Sequence, residues 1–185
     1  LIGGAGTDAI SLGDAGNTFI LRGIETLTGG AGTDVITLGN TVNTLLVNGL
    51  ETLIGGTASD FVFTGSSGST TLVSLVDTLV GGAGTDVTTL ASGGNTIILR
   101  GIETLTGGAD ADFVFTGNTG TTFLVQGVET FVGGTGTDVV TLGDGGNTTI
   151  LRGIETLTGG AGTDVITLGN TVNTLLVGGL ETLIG

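Results

Sequence analysis

The 185 residues include no Cys, His, Lys, Tyr, Trp, Met or Pro, and the only basic side chains are three Arg. Without His, Cys, Lys or Tyr the usual general bases, thiol nucleophiles, Schiff-base amines and zinc ligands are missing, so no enzyme is expected. Carboxylates, hydroxyls and three guanidiniums would have to carry any chemistry. Absence of Cys excludes disulfide staples and by itself identifies no compartment. The formal charge of -14 opposes nucleic acid and anionic membrane surfaces, and three Arg make no basic patch to overcome it. The natural counter-charges are cations. No apolar run approaches the length of a membrane span, and no basic segment with a short apolar core stands at the start as a targeting signal.

What is present is glycine, 40 residues of it, in a chain of positive mean hydropathy, +0.56, with only 11% of residues charged. Flexible linkers and disordered segments have low hydrophobicity, whereas this chain is rich in Val, Ile, Leu and Thr, which predicts ordered β-structure. Paired glycines begin at Gly3, Gly29, Gly55, Gly81, Gly107, Gly133 and Gly159, at a constant 26-residue interval. The seven units are 3–28, 29–54, 55–80, 81–106, 107–132, 133–158 and 159–184. Leu1 and Ile2 read as the tail of a preceding unit and Gly185 as the first residue of a following one, so a single solenoid segment of a longer array is expected. Residues 29–54 recur at 159–184 with one change, Asn48 against Gly178. Duplication of five units is the simplest source.

Numbered from the first Gly, position 6 is always Asp, positions 16 and 24 are Thr, position 23 is acidic, and positions 18, 19, 22 and 25 are apolar. Three short β-favouring runs appear in each unit, as in 34–38, 44–47 and 50–54, with Gly-rich turns between them. Such strands cannot bury a face alone. The expectation is an all-β, parallel β-solenoid of seven 26-residue coils, about three strands each, with every strand hydrogen-bonded to its copy one unit away. At about 4.8 Å per coil the rod would be roughly 34 Å long. A seven-bladed propeller would need about 40 to 50 residues per blade, and the leucine-rich signature fails at Gly55-Gly56.

The densest chemistry lies at GGAGTD in units one, two, four and seven, and GGTGTD in unit six, each followed by alternating residues such as Val35-Ile36-Thr37. This resembles the RTX, or repeats-in-toxin, family, whose nonapeptide G-G-x-G-x-D-x-U-x builds a calcium-binding β-roll. The Asp of the motif is Asp8, Asp34, Asp60, Asp86, Asp112, Asp138 and Asp164. The apolar U is Ile10, Ile36, Val62, Val114, Val140 and Ile166, and is broken only by Thr88. The resemblance implies calcium ions between consecutive turns, held by these Asp and by backbone carbonyls near Gly4, Gly30, Gly56, Gly82, Gly108, Gly134 and Gly160. It also implies secretion and folding outside the cell. Two departures stand out: the motif occurs once per 26-residue unit, and its fourth Gly becomes Ala58 in unit three and Asp110 in unit five. If that position needs positive φ, Ala58 is strained and calcium beside unit three is in doubt.

Stacking unit on unit would set Asp carboxylates about 5 Å apart, at a cost of about 3 kcal/mol per pair for an effective dielectric of about 20. Calcium accepts six to eight oxygen ligands and would relieve this; the alternative is that each Asp caps its own turn by accepting backbone N–H bonds. Glu25, Glu51, Asp77, Glu103, Glu129, Glu155 and Glu181 would form a second acidic ladder, which Arg22, Arg100 and Arg152 could partly pair and which otherwise reads as a solvated edge. The two Thr positions would form ladders of their own. These serve ordinary solenoid stabilisation or, alternatively, an ice-binding or ligand-adhesive face, as suggested by Thr26/Thr28, Thr104/Thr106 and Thr156/Thr158. With Ile36 and Leu38 inward, Val35 points out, and so do Phe61, Phe63, Phe113 and Phe115, a candidate association face. Together these features predict a calcium-stabilised structural rod of a large extracellular or cell-surface protein, with the chain itself as partner, laterally or end to end.

Overall fold

The computed structural model describes residues 1–169 and 174–185. Its elements are 21 short strands, three from each unit, with no helix among the described residues. Unit two supplies Val35–Leu38, Asn43–Asn48 and Thr52–Ile54, the three runs expected from its β-branched and leucine content. Successive strands alternate between two parallel sheets, one of eleven strands and one of ten, and each strand pairs with the strand two further along the chain.

This parallel β-solenoid has two strands per coil. Registered partners are Ala9↔Thr26, Thr26↔Leu46 and Phe61↔Thr78, for example, so a strand meets its neighbour well short of a full unit. One short strand and one tight glycine turn consume eight or nine residues, and two such halves already bring two apolar faces together, so the third strand of a unit opens the next coil. A 26-residue unit therefore makes one and a half coils. The rod has about ten turns instead of the seven expected, and its ten inter-strand steps give roughly 48 Å at about 4.8 Å each. Equivalent positions in neighbouring units fall on opposite sheets and return to the same sheet after two units. The identical stretches Val35–Leu38 and Val165–Leu168 thus lie in different sheets.

Between the sheets runs a continuous core. Unit two contributes Ile36, Leu38, Leu45, Val47, Leu50 and Leu53, all buried. Position 25 points inward throughout the interior of the rod, with Leu27, Leu53, Leu79, Leu105, Phe131 and Leu157 buried, so the Thr before it lies on the other side of the strand, where Thr78 alone of those from Thr26 to Thr156 is buried. Phe123 and Phe131 meet edge to face at 5.2 Å. Thr88, the polar exception at the U position, is buried, and no buried side-chain polar atom among the described residues lacks a partner. The outward aromatics are where the alternation puts them: Phe61, Phe63, Phe113 and Phe115 are 43, 40, 45 and 38% exposed.

The one-and-a-half-coil unit dissolves the threonine ladders. Thr104, for example, pairs with Val87 on one side and Leu124 on the other. The flat threonine array on which an ice-binding face would rest is not formed. The paired glycines are demanded by close approach: a Cβ on the first Gly of any unit would overlap the carbonyl oxygen of position 21 in the next coil, as Gly81 against Gly101. Position 21 is a left-handed glycine in six units, and in unit three it is Leu75 at φ 55°. The fourth position has no general need for positive φ, since Leu75 is the sole non-glycine residue with φ above zero among those described. Ala58 and Asp110 are unstrained, so the backbone at the fourth position does not set unit three apart.

Candidate metal site

Each motif Asp sits just before or at the start of the first strand of its unit. Asp8, Asp60, Asp112 and Asp164 therefore enter the eleven-stranded sheet, and Asp34, Asp86 and Asp138 the ten-stranded sheet on the opposite edge. They do not stack into the single ladder expected from the 26-residue period. Nor do Glu25, Glu51, Asp77, Glu103, Glu129, Glu155 and Glu181 form a second one. Each edge instead carries a mixed column in which an Asp lies between position 15 of the coil before it and the acid of position 23 in the coil after it. Asn17–Asp34–Glu51 is one such triplet, and Asn95–Asp112–Glu129 another.

Every contact within a triplet is a hydrogen bond to a protein group. Asp34 Oδ2 accepts the Gly30 N–H at 3.0 Å, within its own turn. Its Oδ1 accepts both the backbone N–H and the side-chain amide of Asn17 at 2.9 and 2.8 Å. Its own N–H donates to Glu51 Oε2 at 2.8 Å. The bond from the glycine recurs at Gly4, Gly56, Gly82, Gly108, Gly134 and Gly160, so these glycines meet the Asp through N–H and not through the carbonyls expected to face an ion. Donation to the position-23 acid recurs in all seven units. All the motif Asp except Asp8 are fully buried. The Asn17 amide, followed by the Gly30 and Asn17 backbone N–H groups, holds the Asp34 carboxyl below the usual carboxylate range against the opposing effect of burial.

Position 15 is the functional residue that the sequence reading missed. It is Asn17, Asn43, Ser69, Asn95, Thr121 and Asn147, and each of these side chains donates to the Oδ1 of an Asp in the next coil. Asn173, its counterpart in unit seven, lies outside the described residues. The signal was present in the spacing, because a polar side chain recurs at positions 6, 15 and 23, once in every half-coil. The side chains of Arg22, Arg100 and Arg152, expected to pair in part with the acidic positions, lie across Gly39, Gly117 and Gly169 of the following coil.

Calcium needs six to eight oxygen ligands with carboxylates among them. Both oxygens of a buried Asp here are occupied by N–H or O–H donors, the neighbour on one side is itself a donor, and no group of three or more acids that could hold an ion occurs among the described residues. The motif Asp as they stand do not fit the ion. The chain nevertheless matches the RTX calcium-binding nonapeptide repeat over residues 21–46, 76–97, 100–118, 125–150 and 151–179. No curated protein and no solved structure matches it. Calcium is the ligand of that repeat family, and a half-coil of eight or nine residues is the length of its unit. With well over half of its residues matched and its roll built from such half-coils, the chain belongs to the RTX calcium-binding nonapeptide repeat family.

Proposed function

We propose that this RTX repeat solenoid is a non-catalytic rod in a large secreted or cell-surface protein, serving as a fibre, matrix, S-layer or adhesin stalk, and that rods associate side by side through the outer face of the eleven-stranded sheet. Repeats of this family occur in secreted proteins, which supports an outside location. The observation that carries the association is the exposed apolar relief on one sheet. Leu46, Phe61, Phe63, Ile98, Phe113, Phe115 and Ile150 are each exposed by 38 to 45%, and all belong to strands of the eleven-stranded sheet. The ten-stranded sheet presents only Ile20, Leu72, Leu124 and Leu176 among the described residues, and no exposed ring.

The relief has a period. The two phenylalanine rows are two units and three coils apart, about 14 Å. Between them lies a groove of about 640 Å³, lined by Phe61, Thr78, Ile98 and Phe115 with Asp77 and Arg100 beside them. A second rod shifted by half the period brings its phenylalanine row over this groove. The position-6 acids line the two edges and Asp77 stands beside the groove together with Arg100, while the net charge of -14 keeps the edges apart.

Sedimentation equilibrium of the wild-type chain and of a variant with Phe61, Phe63, Phe113 and Phe115 replaced by Thr tests this. The wild type is expected to associate with rising concentration and the variant to stay monomeric with an unchanged β-spectrum. A wild type that remains monomeric at high concentration, with or without calcium, would sink the reading.

A further inference from the structure

The mismatch between the family's ligand and the residues on the edges of this roll has a structural cause. We infer that position 15 has taken over the place of an ion beside the six motif Asp from Asp34 to Asp164, so that this roll closes without calcium, and that exchanging one such Asn for Asp makes it calcium-dependent. The inference stands apart from the association proposed above.

A repeat of one and a half coils never places two motif Asp on adjacent turns of one edge. The next motif Asp on the same edge is two units away, three coils or about 14 Å, about three times the spacing that direct stacking of the motif Asp would give. Where the coil below would otherwise bring another carboxylate, it brings a donor. Asn95 gives Asp112 Oδ1 a backbone N–H at 2.8 Å and an amide N–H at 2.9 Å. Asn147 does the same for Asp164 at 2.9 Å each. Ser69 and Thr121 do it with hydroxyls, at 2.6 Å to Asp86 and Asp138. On the other side the position-23 acid takes the Asp N–H as acceptor, so its charge is also partly compensated. Each buried carboxylate is therefore satisfied by the polypeptide, which is what a buried charge requires and what a metal ion would otherwise supply.

Asn95→Asp reverses this at one place. It replaces a donor to Asp112 by an acceptor and leaves five acidic positions, 60, 77, 95, 112 and 129, on consecutive coils of one edge. Crowded carboxylates of that kind repel one another and form the oxygen-rich set that calcium takes. Asn95→Ala removes the donor without adding a charge and serves as the control.

The test is thermal unfolding by far-UV circular dichroism of the three chains in chelator, in calcium and in magnesium. The wild type is expected to keep the same β-spectrum and melting temperature in all three media. N95A should melt lower, and equally so in each. N95D should lose several degrees or its fold in chelator and recover with calcium but not with magnesium. A wild type that unfolds or melts several degrees lower on chelation overturns the inference, and so does N95D if calcium fails to restore it.

Discussion

Leu75 is the one side chain in the described chain held at a left-handed backbone angle, φ 55°, at a position where the other six units have glycine. A Cβ in that region costs about 1 kcal/mol, and the side chain is 58% exposed, so little packing offsets the strain. Leu75→Gly is expected to raise the melting temperature by about 2 to 4 °C, as calorimetry would show; a lower value would mean that the Leu75 side chain supplies packing. At the same scale Asp34 carries a pH dependence. Its folded carboxyl titrates below the unfolded one, so its contribution to stability is whole above the unfolded pKa of about 4 and is lost as pH falls through the lower folded value. Melts across the acid range should be flat above pH about 5 and fall steeply below about 4. Asn17→Ala should soften the fall, because the Asn17 amide is the largest cause of the shift.

Between elements, coils are matched by a rule that joins position 20 to a glycine of the next coil. Each long side chain at that position crosses its glycine: Arg22 over Gly39, Asn48 over Gly65, Arg100 over Gly117, Gln126 over Gly143 and Arg152 over Gly169. Ser74, a short residue at that position, has Ala91 at the corresponding place in the following coil. A Cβ on Gly117 would meet the Arg100 side chain, a flexible obstacle that must move aside. Gly117→Ala is expected to cost about 1 kcal/mol, and Arg100→Ser in the same chain to recover most of it. Denaturant melts of the single and double variants measure this coupling, and additive effects would refute it. The strands themselves were legible in the sequence, because Val, Ile, Leu and Thr runs between Gly turns leave little choice, and the alternation around Ile36 correctly sent Phe61 and Phe113 outward. The partner of each strand was not. Constant Thr at position 24 suggested that like stacks on like, whereas Thr104 lies between Val87 and Leu124.

At the scale of the molecule, everything follows from the ratio between repeat and coil. Sequence identity recurs with the 26-residue unit, but hydrogen bonding recurs with the shorter coil, as in Ala9↔Thr26 and Thr26↔Leu46, and only the second period decides what touches what. Taking the repeat for the coil produced seven stacked Asp on one edge and a separate ladder of the position-23 acids, which the topology replaces by mixed columns on two edges. The recurring polar positions at 6, 15 and 23 would have revealed the half-coil, yet Asn, Ser and Thr at position 15 do not look alike until the Asp they serve is seen beside them. The same ratio gathers both phenylalanine pairs on one sheet, since Phe61 and Phe113 are two units apart, and so gives the rod one aromatic side.

Cross-linking tests that ratio directly, and the chain has no native Cys to interfere. Thr104 and Leu124 are registered partners on adjacent strands of the ten-stranded sheet, about 4.8 Å apart and within reach of a disulfide. Thr104 and Thr130, which are equivalent positions in consecutive units, belong to different sheets. With Cys at Thr104 and Leu124, mild oxidation should close the bond within one chain, and with Cys at Thr104 and Thr130 it should not. An intrachain bond in the second variant and none in the first would contradict the two-strand coil and the account built on it.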